Sequence, residues 1–254
     1  MKEITIDEFI NKLNNTNNVM MFNLANQWKY WYYDEYKLYE IDNNLIIKQQ
    51  LENNEYEIHM FILDDNLTLF NEYNNDSNCV NLTVSIINSI PNELDKYLGF
   101  RCYSNINKNC YQDKNCHSNI KSLSLDDRDD ILIFCEELMK QGHLSKCEAI
   151  SFKMCIDNYD NFTKLLGYYI DNKLVGIVTY RLFNNYGMIE DIGVLESYRK
   201  QGIGKSLCES VLTNNANVRF LYQSAKQNVE STALAKSIGF EFIGARELFI
   251  KQKR

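Results

Sequence analysis

Apolar and polar positions alternate along this chain in two rhythms, and the elements they predict differ between its two halves. From Ile6 to Leu13 the apolar residues recur at helical spacing. Leu38 to Ile41 and Leu45 to Lys48 read as two strands joined by Asp42-Asn43-Asn44, a hairpin signal. Glu55 to Leu63 is a further strand candidate, and Pro91 opens a short helix that should stop at Gly99. The stretch Trp28-Lys29-Tyr30-Trp31-Tyr32-Tyr33 is core or interface material, or the lining of an acceptor pocket. Residues Arg101 to Ser122 show little periodicity and mark the boundary between an N-terminal domain, 1–120, and a C-terminal one, 121–254.

Beyond that boundary the rhythm is regular. Asp126 to Met139 predicts a helix; Phe162 to Ile170, Leu174 to Phe183 and Gly187 to Leu195 predict three successive strands. Ile203 to Leu212 follows as a helix, Val218 to Ala225 as a strand, Ser231 to Ile238 as a helix and Glu241 to Lys251 as a last strand. The expected class is α+β, with a mostly antiparallel start to the sheet and helices on its faces. One internal echo stands out. Leu94 to Phe100 parallels Leu234 to Phe240, each reading as a helix closed by a glycine and entering a strand at phenylalanine. Chance likeness and a diverged duplicate both account for it.

Composition narrows the class. A chain of 254 residues with 45% hydrophobic and 13% aromatic residues is globular and long enough for two cores. Its 33 asparagines are scattered through periodic segments, a compositional drift rather than a prion-like tract. No apolar run reaches membrane-spanning length, and the acids in the first residues do not fit a secretory signal, so the chain is expected in the cytoplasm. Eight cysteines without an export signal read as reduced thiols. The net charge of −7 divides unevenly: Tyr198 to Arg254 carries +6 and the remainder −13. The basic tail suits an anionic cofactor and the acidic remainder a cationic acceptor, which argues against nucleic acid as the main partner.

The chemistry concentrates in Asp191-Ile192-Gly193-Val194-Leu195-Glu196-Ser197-Tyr198-Arg199-Lys200-Gln201-Gly202-Ile203-Gly204-Lys205-Ser206-Leu207. A strand ends, a short basic loop carries two glycines, and a helix begins. The first amides of that helix lack internal partners and sit at the positive end of its dipole. Glycines let the loop curl so that several amides converge on one anion. Arg199, Lys200 and Lys205 add charge, making the turn a phosphate cradle. A triphosphatase loop needs glycine where Arg199 stands. A dinucleotide fingerprint needs a small residue at Leu207 and a βαβ unit around it. What remains is Arg-x-x-Gly-x-Gly, at Arg199, Gly202 and Gly204.

Val194 through Leu207 resembles the central motif of the GNAT N-acetyltransferase superfamily: valine, then Tyr-Arg, then Gly-Ile-Gly at a helix start. Asn228-Val229-Glu230-Ser231-Thr232-Ala233-Leu234-Ala235-Lys236-Ser237-Ile238-Gly239-Phe240 resembles the family's next motif, in the right order and at the right separation. The resemblance covers roughly 122 to 254. It implies a mixed, mostly antiparallel sheet splayed open at its fourth strand, flanked by helices. The preceding α+β domain is then a candidate for a divergent GNAT-like repeat lacking the glycine loop.

The resemblance also implies acetyl-CoA as acyl donor. Its pyrophosphate would lie on Arg199, Lys200, Gln201, Gly202, Ile203, Gly204 and Lys205. Pantetheine would lie along Ile192, Gly193 and Val194 and near Asn228 and Ser231. Asn228 also reads as a helix cap.

For acyl transfer to a primary amine, a carboxylate must take the ammonium proton. Strict alternation places Met188, Glu190, Ile192 and Val194 on one strand face and Ile189, Asp191, Gly193 and Leu195 on the other. Glu190 then shares the face that lies nearest the transfer centre in GNAT relatives, so the resemblance implies Glu190 rather than Asp191 as the base, or else as a structural or acceptor-binding carboxylate. Many relatives carry a tyrosine acid where this chain has Ala235 and others manage without one; Tyr222 on the preceding strand is the nearest substitute. Cys102, Cys110, Cys116 and His117 lack the paired spacing of a metal knuckle, and no metal is expected. Cys208 reads as core. The expected partners are acetyl-CoA and a small amine-bearing acceptor, with no membrane and no nucleic acid; a homodimer is compatible. The rival expectation is a CoA-binding module without turnover.

Overall fold

The computed structural model describes residues 1–18, 20–21, 24–25, 36–64, 67–87, 100–105, 118–142, 163–183 and 186–250. The aromatic stretch at Trp28, the helix expected after Pro91 with the first half of the internal echo, and Cys110, Cys116 and His117 lie outside them. The chain forms two compact units. The first comprises Met1–Ser104, Gln223–Thr232 and Phe242–Arg254, the second Asn105–Tyr222 and Ala233–Glu241. Both are mixed α+β with mostly antiparallel sheets, as the sequence predicts.

In the first unit, β1 (Lys2–Glu3) and α1 (Ile6–Asn15) precede a meander of β2 (Tyr36–Ile41), β3 (Asn44–Gln50) and β4 (Tyr56–Ile62). Helix α2 (Thr68–Asn75) then leads to β5 (Cys79–Ile87), and β6 is Phe100–Asn105. Neighbouring strands run in the order β1-β2-β3-β4-β5-β12-β6, where β12 is Phe240–Ile250 near the end of the chain. All the registers from β1 to β4 are antiparallel, β4 and β5 are parallel, and β5 and β12 are antiparallel.

Local chemistry explains these elements. The Thr5 hydroxyl accepts the Glu8 amide at 3.2 Å while the Glu8 carboxylate accepts the Thr5 amide at 2.8 Å, a reciprocal cap that starts α1. The expected hairpin closes with Ile41 opposite Asn44, and Asp42 and Asn43 both take positive φ, 46° and 69°. That backbone matches the twist of the flanking strands, and Asp and Asn tolerate it. One face of the sheet packs α2 through Leu69 and Phe70 onto Ile58, Met60, Ile62, Leu82, Val84 and Ile86. On the other face Phe9 of α1 meets Phe61 edge-on at 5.3 Å.

His59 on β4 is a stability element of this unit. Burial, helped by the nearby Arg246 charge, pushes its imidazole down to about 4 from 6.5. The folded state therefore keeps His59 neutral where the unfolded chain binds a proton. Its contribution is complete above pH 6.5 and is lost as pH falls toward 4, by up to about 3 kcal/mol. Denaturant titrations of His59→Gln should show a flatter acid limb than the parent over that window. Equal pH slopes would refute the assignment.

In the second unit, β7 (Ile120–Ser122) and α3 (Arg128–Lys140) precede the meander β8 (Thr163–Ile170), β9 (Lys173–Leu182) and β10 (Tyr186–Val194). Helix α4 (Ile203–Asn214) leads into β11 (Arg219–Ala225), and α5 (Val229–Ser237) follows. Pairing from β7 to β10 is antiparallel, and β10 and β11 are parallel. Helix α3 covers one face, where Phe134 and Leu138 lie against Gly193. Helix α4 covers the other, where Ile203 and Leu207 lie against Gly176. The described cysteines, Cys79, Cys102, Cys135 and Cys208, are buried free thiols. Burial raises the Cys135 thiol to about 11, Cys102 to about 12 and Cys208 further still.

Candidate functional site

The second unit brings three features together around the end of β10. The first is an open strand edge. β10 pairs with β11 only from Tyr186–Arg219 to Ile189–Tyr222, whereas its pairing with β9 continues to Val194–Gly176. Beyond Ile189, the residues Glu190 to Val194 have β9 on one side and no strand ladder on the other among the described residues. Such an edge presents alternate N–H and C=O groups to any extended ligand laid along it.

The second feature is a bulge, and it corrects the alternation read from sequence. Ile189 lies opposite Tyr180 and Asp191 opposite Thr179, so Glu190 is an extra residue. One inserted residue flips the parity of everything after it. Asp191 and Gly193 therefore share the face of Met188, while Ile192 and Val194 share that of Ile189. Ile192 and Val194 approach Gly204 of α4, and Gly193 approaches Phe134 and Leu138 of α3. The half-buried Glu190 carboxylate reaches Arg181 Nε at 3.1 Å, a contact that is ionic rather than an aligned hydrogen bond. The Asp191 amide donates to Thr179 Oγ1 at 3.1 Å, and that hydroxyl lies 3.4 Å from the Asp191 carboxylate. Arg181 and Thr179 were not legible as site residues, because only the bulge makes them neighbours of the two acids.

The third feature is the loop between β10 and α4. The Tyr198 and Arg199 amides donate to Leu195 and Glu196 carbonyls, and the helix's first internal bond runs from Ser206 to Gly202. Between them six consecutive amides, Lys200 to Lys205, have no acceptor among the described residues. Lys200 and Gly202 take φ of 58° and 83°, the left-handed region that curls a loop around an anion. Gly202 is the N-cap of a 12-residue helix, so the positive end of that dipole lies here too. Lys200, Gln201, Gly202 and Lys205 are exposed, and Ile203 is anchored in the core. Arg199 does something the sequence does not disclose: its Nε donates to the Val194 carbonyl at 2.9 Å, tying the loop to the strand end.

Tyr222, the last β11 residue paired with β10, is buried with its ring edge-on to Phe240 at 5.7 Å. Ala235 is fully buried. Asn228 and Ser231 belong to the first unit as the chain divides, and there the Asn228 side chain accepts the Ser231 amide at 2.9 Å, capping α5. Among the described residues no group of three or more His, Cys, Asp or Glu could hold a metal, and no helix is long and apolar enough to cross a membrane.

The second unit is thus an α+β unit whose fourth strand parts from its fifth and ends in an amide-lined basic turn, an arrangement able to take an anion. Comparison with known families agrees: residues 132–240 match the Acetyltransferase (GNAT) family. That match lies within the C-terminal half of the chain and spans the glycine turn and α5. The whole chain resembles solved structures in fold. A GNAT-family acetyltransferase from Colwellia psychrerythraea shares 15% identity with TM-score 0.53, over 84% of this chain and 85% of its own. A GCN5-related N-acetyltransferase from Sphaerobacter thermophilus shares 11% with TM-score 0.54, over 92% and 87%. A conserved protein of unknown function from Staphylococcus epidermidis shares 15% with TM-score 0.52, over 89% and 98%. No curated protein matches the chain.

Proposed function

We propose that this protein transfers an acetyl group directly from acetyl-CoA to a primary amine. The observation that carries the reading is the run of six unpaired amides from Lys200 to Lys205 at the positive end of α4. A diphosphate satisfies them collectively, and the exposed Lys200 and Lys205 side chains add charge. Gln201, Gly202, Ile203 and Gly204 contribute backbone, and Arg199 holds the turn in register. The open edge at Ile192, Gly193 and Val194 takes the pantetheine arm. An edge amide is placed to stabilise a developing oxyanion.

Glu190 stands where β10 leaves β11, and we assign it the proton of the acceptor ammonium, directly or through water. Arg181 orients its carboxylate. Tyr222, at the same fork, is the candidate acid for the departing thiolate. The −13 charge outside the basic tail favours a cationic acceptor such as a small polyamine-like metabolite, an aminated antibiotic or a peptide terminus. The expected location is the cytoplasm.

Thermal denaturation with acetyl-CoA, CoA, ATP and NAD tests the donor, since a ligand selective for the folded state raises its melting temperature. Stabilisation by both CoA species alone is expected; a shift with ATP but neither CoA species would sink the reading. Thiol release over an amine panel then identifies the acceptor class.

A second reading, CoA binding without turnover, draws on Ala235, buried where GNAT relatives carry a tyrosine acid. Glu190→Gln separates the two. With Glu190 as base, acetylation at neutral pH falls by about 10²–10⁴-fold and recovers toward the acceptor's own pKa. Unchanged rates at every pH would remove Glu190 from the mechanism, and no thiol release from the parent with any amine would favour the binding module.

A further inference from the structure

We infer that the chain is an internal duplication in which only the second copy keeps an acyl-CoA cleft, so that each chain binds one CoA; this rests on the donor reading above. The duplication is visible within each unit separately. The first runs β1-α1-β2-β3-β4-α2-β5 and the second β7-α3-β8-β9-β10-α4-β11, with antiparallel pairing throughout except a parallel fourth and fifth strand in both.

Three sequence echoes fall at matching places in this order. Thr5-Ile6-Asp7-Glu8 and Ser124-Leu125-Asp126-Asp127 each form a reciprocal cap after the first strand. The residue before each, Ile4 or Leu123, is buried and donates its amide to the second strand, at Leu38 or Leu165. Ile41-Asp42-Asn43-Asn44-Leu45 and Ile170-Asp171-Asn172-Lys173-Leu174 make the same two-residue hairpin with positive φ at both central residues. Gly99-Phe100 and Gly239-Phe240 enter β6 and β12, each of which begins at the phenylalanine. Any one of these is common. Their shared order on a shared topology is what chance does not supply.

The first copy lacks each feature that makes a cleft in the second. Its fourth and fifth strands are paired along their whole length, from Tyr56–Cys79 to Ile62–Ile86, whereas β10 and β11 part after Ile189 and Tyr222. Its fourth strand follows β3 without a bulge, whereas β10 bulges at Glu190. Between β4 and α2 the sequence Leu63-Asp64-Asp65-Asn66-Leu67 has no glycine and no basic residue. The Leu63 amide there donates to the Asn44 side chain at 2.8 Å, and Asn44 in turn donates to the Asp64 carboxylate at 2.9 Å. An acid thus sits at the turn that is basic in the second copy, and a buried asparagine takes an amide that would otherwise face solvent. A diphosphate meets the repulsion of Asp64 here, and an extended thioester arm meets no open edge along β4.

Isothermal titration of the full chain with CoA and with acetyl-CoA measures the number of sites directly. One site per chain is expected. Two sites would overturn the inference and leave the donor reading standing; none would overturn both. The location is tested with Gly202→Asp, and with Lys200→Glu combined with Lys205→Glu, whose side chains are exposed and whose folding is checked by circular dichroism. Gly202→Asp should weaken binding by about a hundredfold or more and the double variant by about tenfold or more, with no tight site remaining. A site of parental affinity in either folded variant would show that the Lys200–Lys205 turn does not hold CoA and would overturn the inference.

Discussion

Gly202→Asp is expected to weaken acetyl-CoA binding by about a hundredfold or more, since a like charge set against a ligand costs several kcal/mol and each 1.4 kcal/mol is tenfold. The substitution puts a carboxylate at the N-cap, the position from which side chains normally accept the second and third amides of a helix. It thereby competes for the amides offered to pyrophosphate and opposes its charge. Folding should survive. A Cβ at Gly202 meets nothing within 4 Å, and aspartate tolerates left-handed backbone, at a cost of about 1 kcal/mol. For a chain of this size that lowers the melting temperature by about 2–4 °C.

Gly204→Ala is the matching control. Its Cβ would lie 3.6–3.8 Å from Leu234, Ile192 and Val194, ordinary contact distances. Since the cradle acts through backbone amides, affinity should change by less than about threefold, under 1 kcal/mol. Titration calorimetry on both variants decides the matter. Parental affinity in folded Gly202→Asp would show that the amides do not hold the diphosphate.

The turn that opens α4 was legible because its signals are local: two glycines and three cations in seven residues following a strand. The paired Asp-Asn turns were legible for the same reason, since the left-handed backbone they need is written in residue type. The strands from β8 to β10 were placed to within a residue or two, because each alternates against a well-marked turn. Other features depend on distant partners. The bulge at Glu190 has no residue-type signature, so a strict period of two misassigned Ile192 and Val194 to the face of Met188. Helix α2 escaped notice because it is eight residues long and rich in asparagine, and packing of Leu69 and Phe70 supplies what propensity lacks. Strand β5, by contrast, carries its signal locally: Leu82, Val84 and Ile86 alternate with Asn81, Thr83 and Ser85, the period of two of a half-buried strand.

The partner of β12 was the least legible feature of all, and removing that strand is expected to unfold the first unit. From Gly244–Ile87 to Ile250–Asn81 it supplies seven consecutive register pairs to β5, which would otherwise end the sheet with an unpaired edge. Ala245 is fully buried in the cluster around Val84 and Ile86, with Phe242 packed against it. The Ile243 carbonyl accepts the side-chain amide of buried Asn18 at 2.9 Å, and the oxygen of that same asparagine caps the Met20 and Met21 amides. Losing one such partner costs about 1–3 kcal/mol by itself. A chain ending at Gly239 loses that bond, the apolar contacts and the ladder together, which exceeds what a domain with a total stability of about 5–15 kcal/mol can absorb.

A milder form of the same test is Gly244→Ala. The added Cβ would lie 2.4 Å from the Ile86 carbonyl oxygen and 2.9 Å from Met20 Cε. Since the nearer atom is backbone, the strands must separate, at a cost of about 1–3 kcal/mol. Hydrogen exchange reads the outcome residue by residue. In the truncated chain, amides of β3, β4 and β5 should exchange at unfolded rates, and in Gly244→Ala the β5 amides should lose protection before those of β9. Full protection of β5 in the truncated chain would mean that the first unit folds without its seventh strand, and that residues 240–254 are dispensable to it.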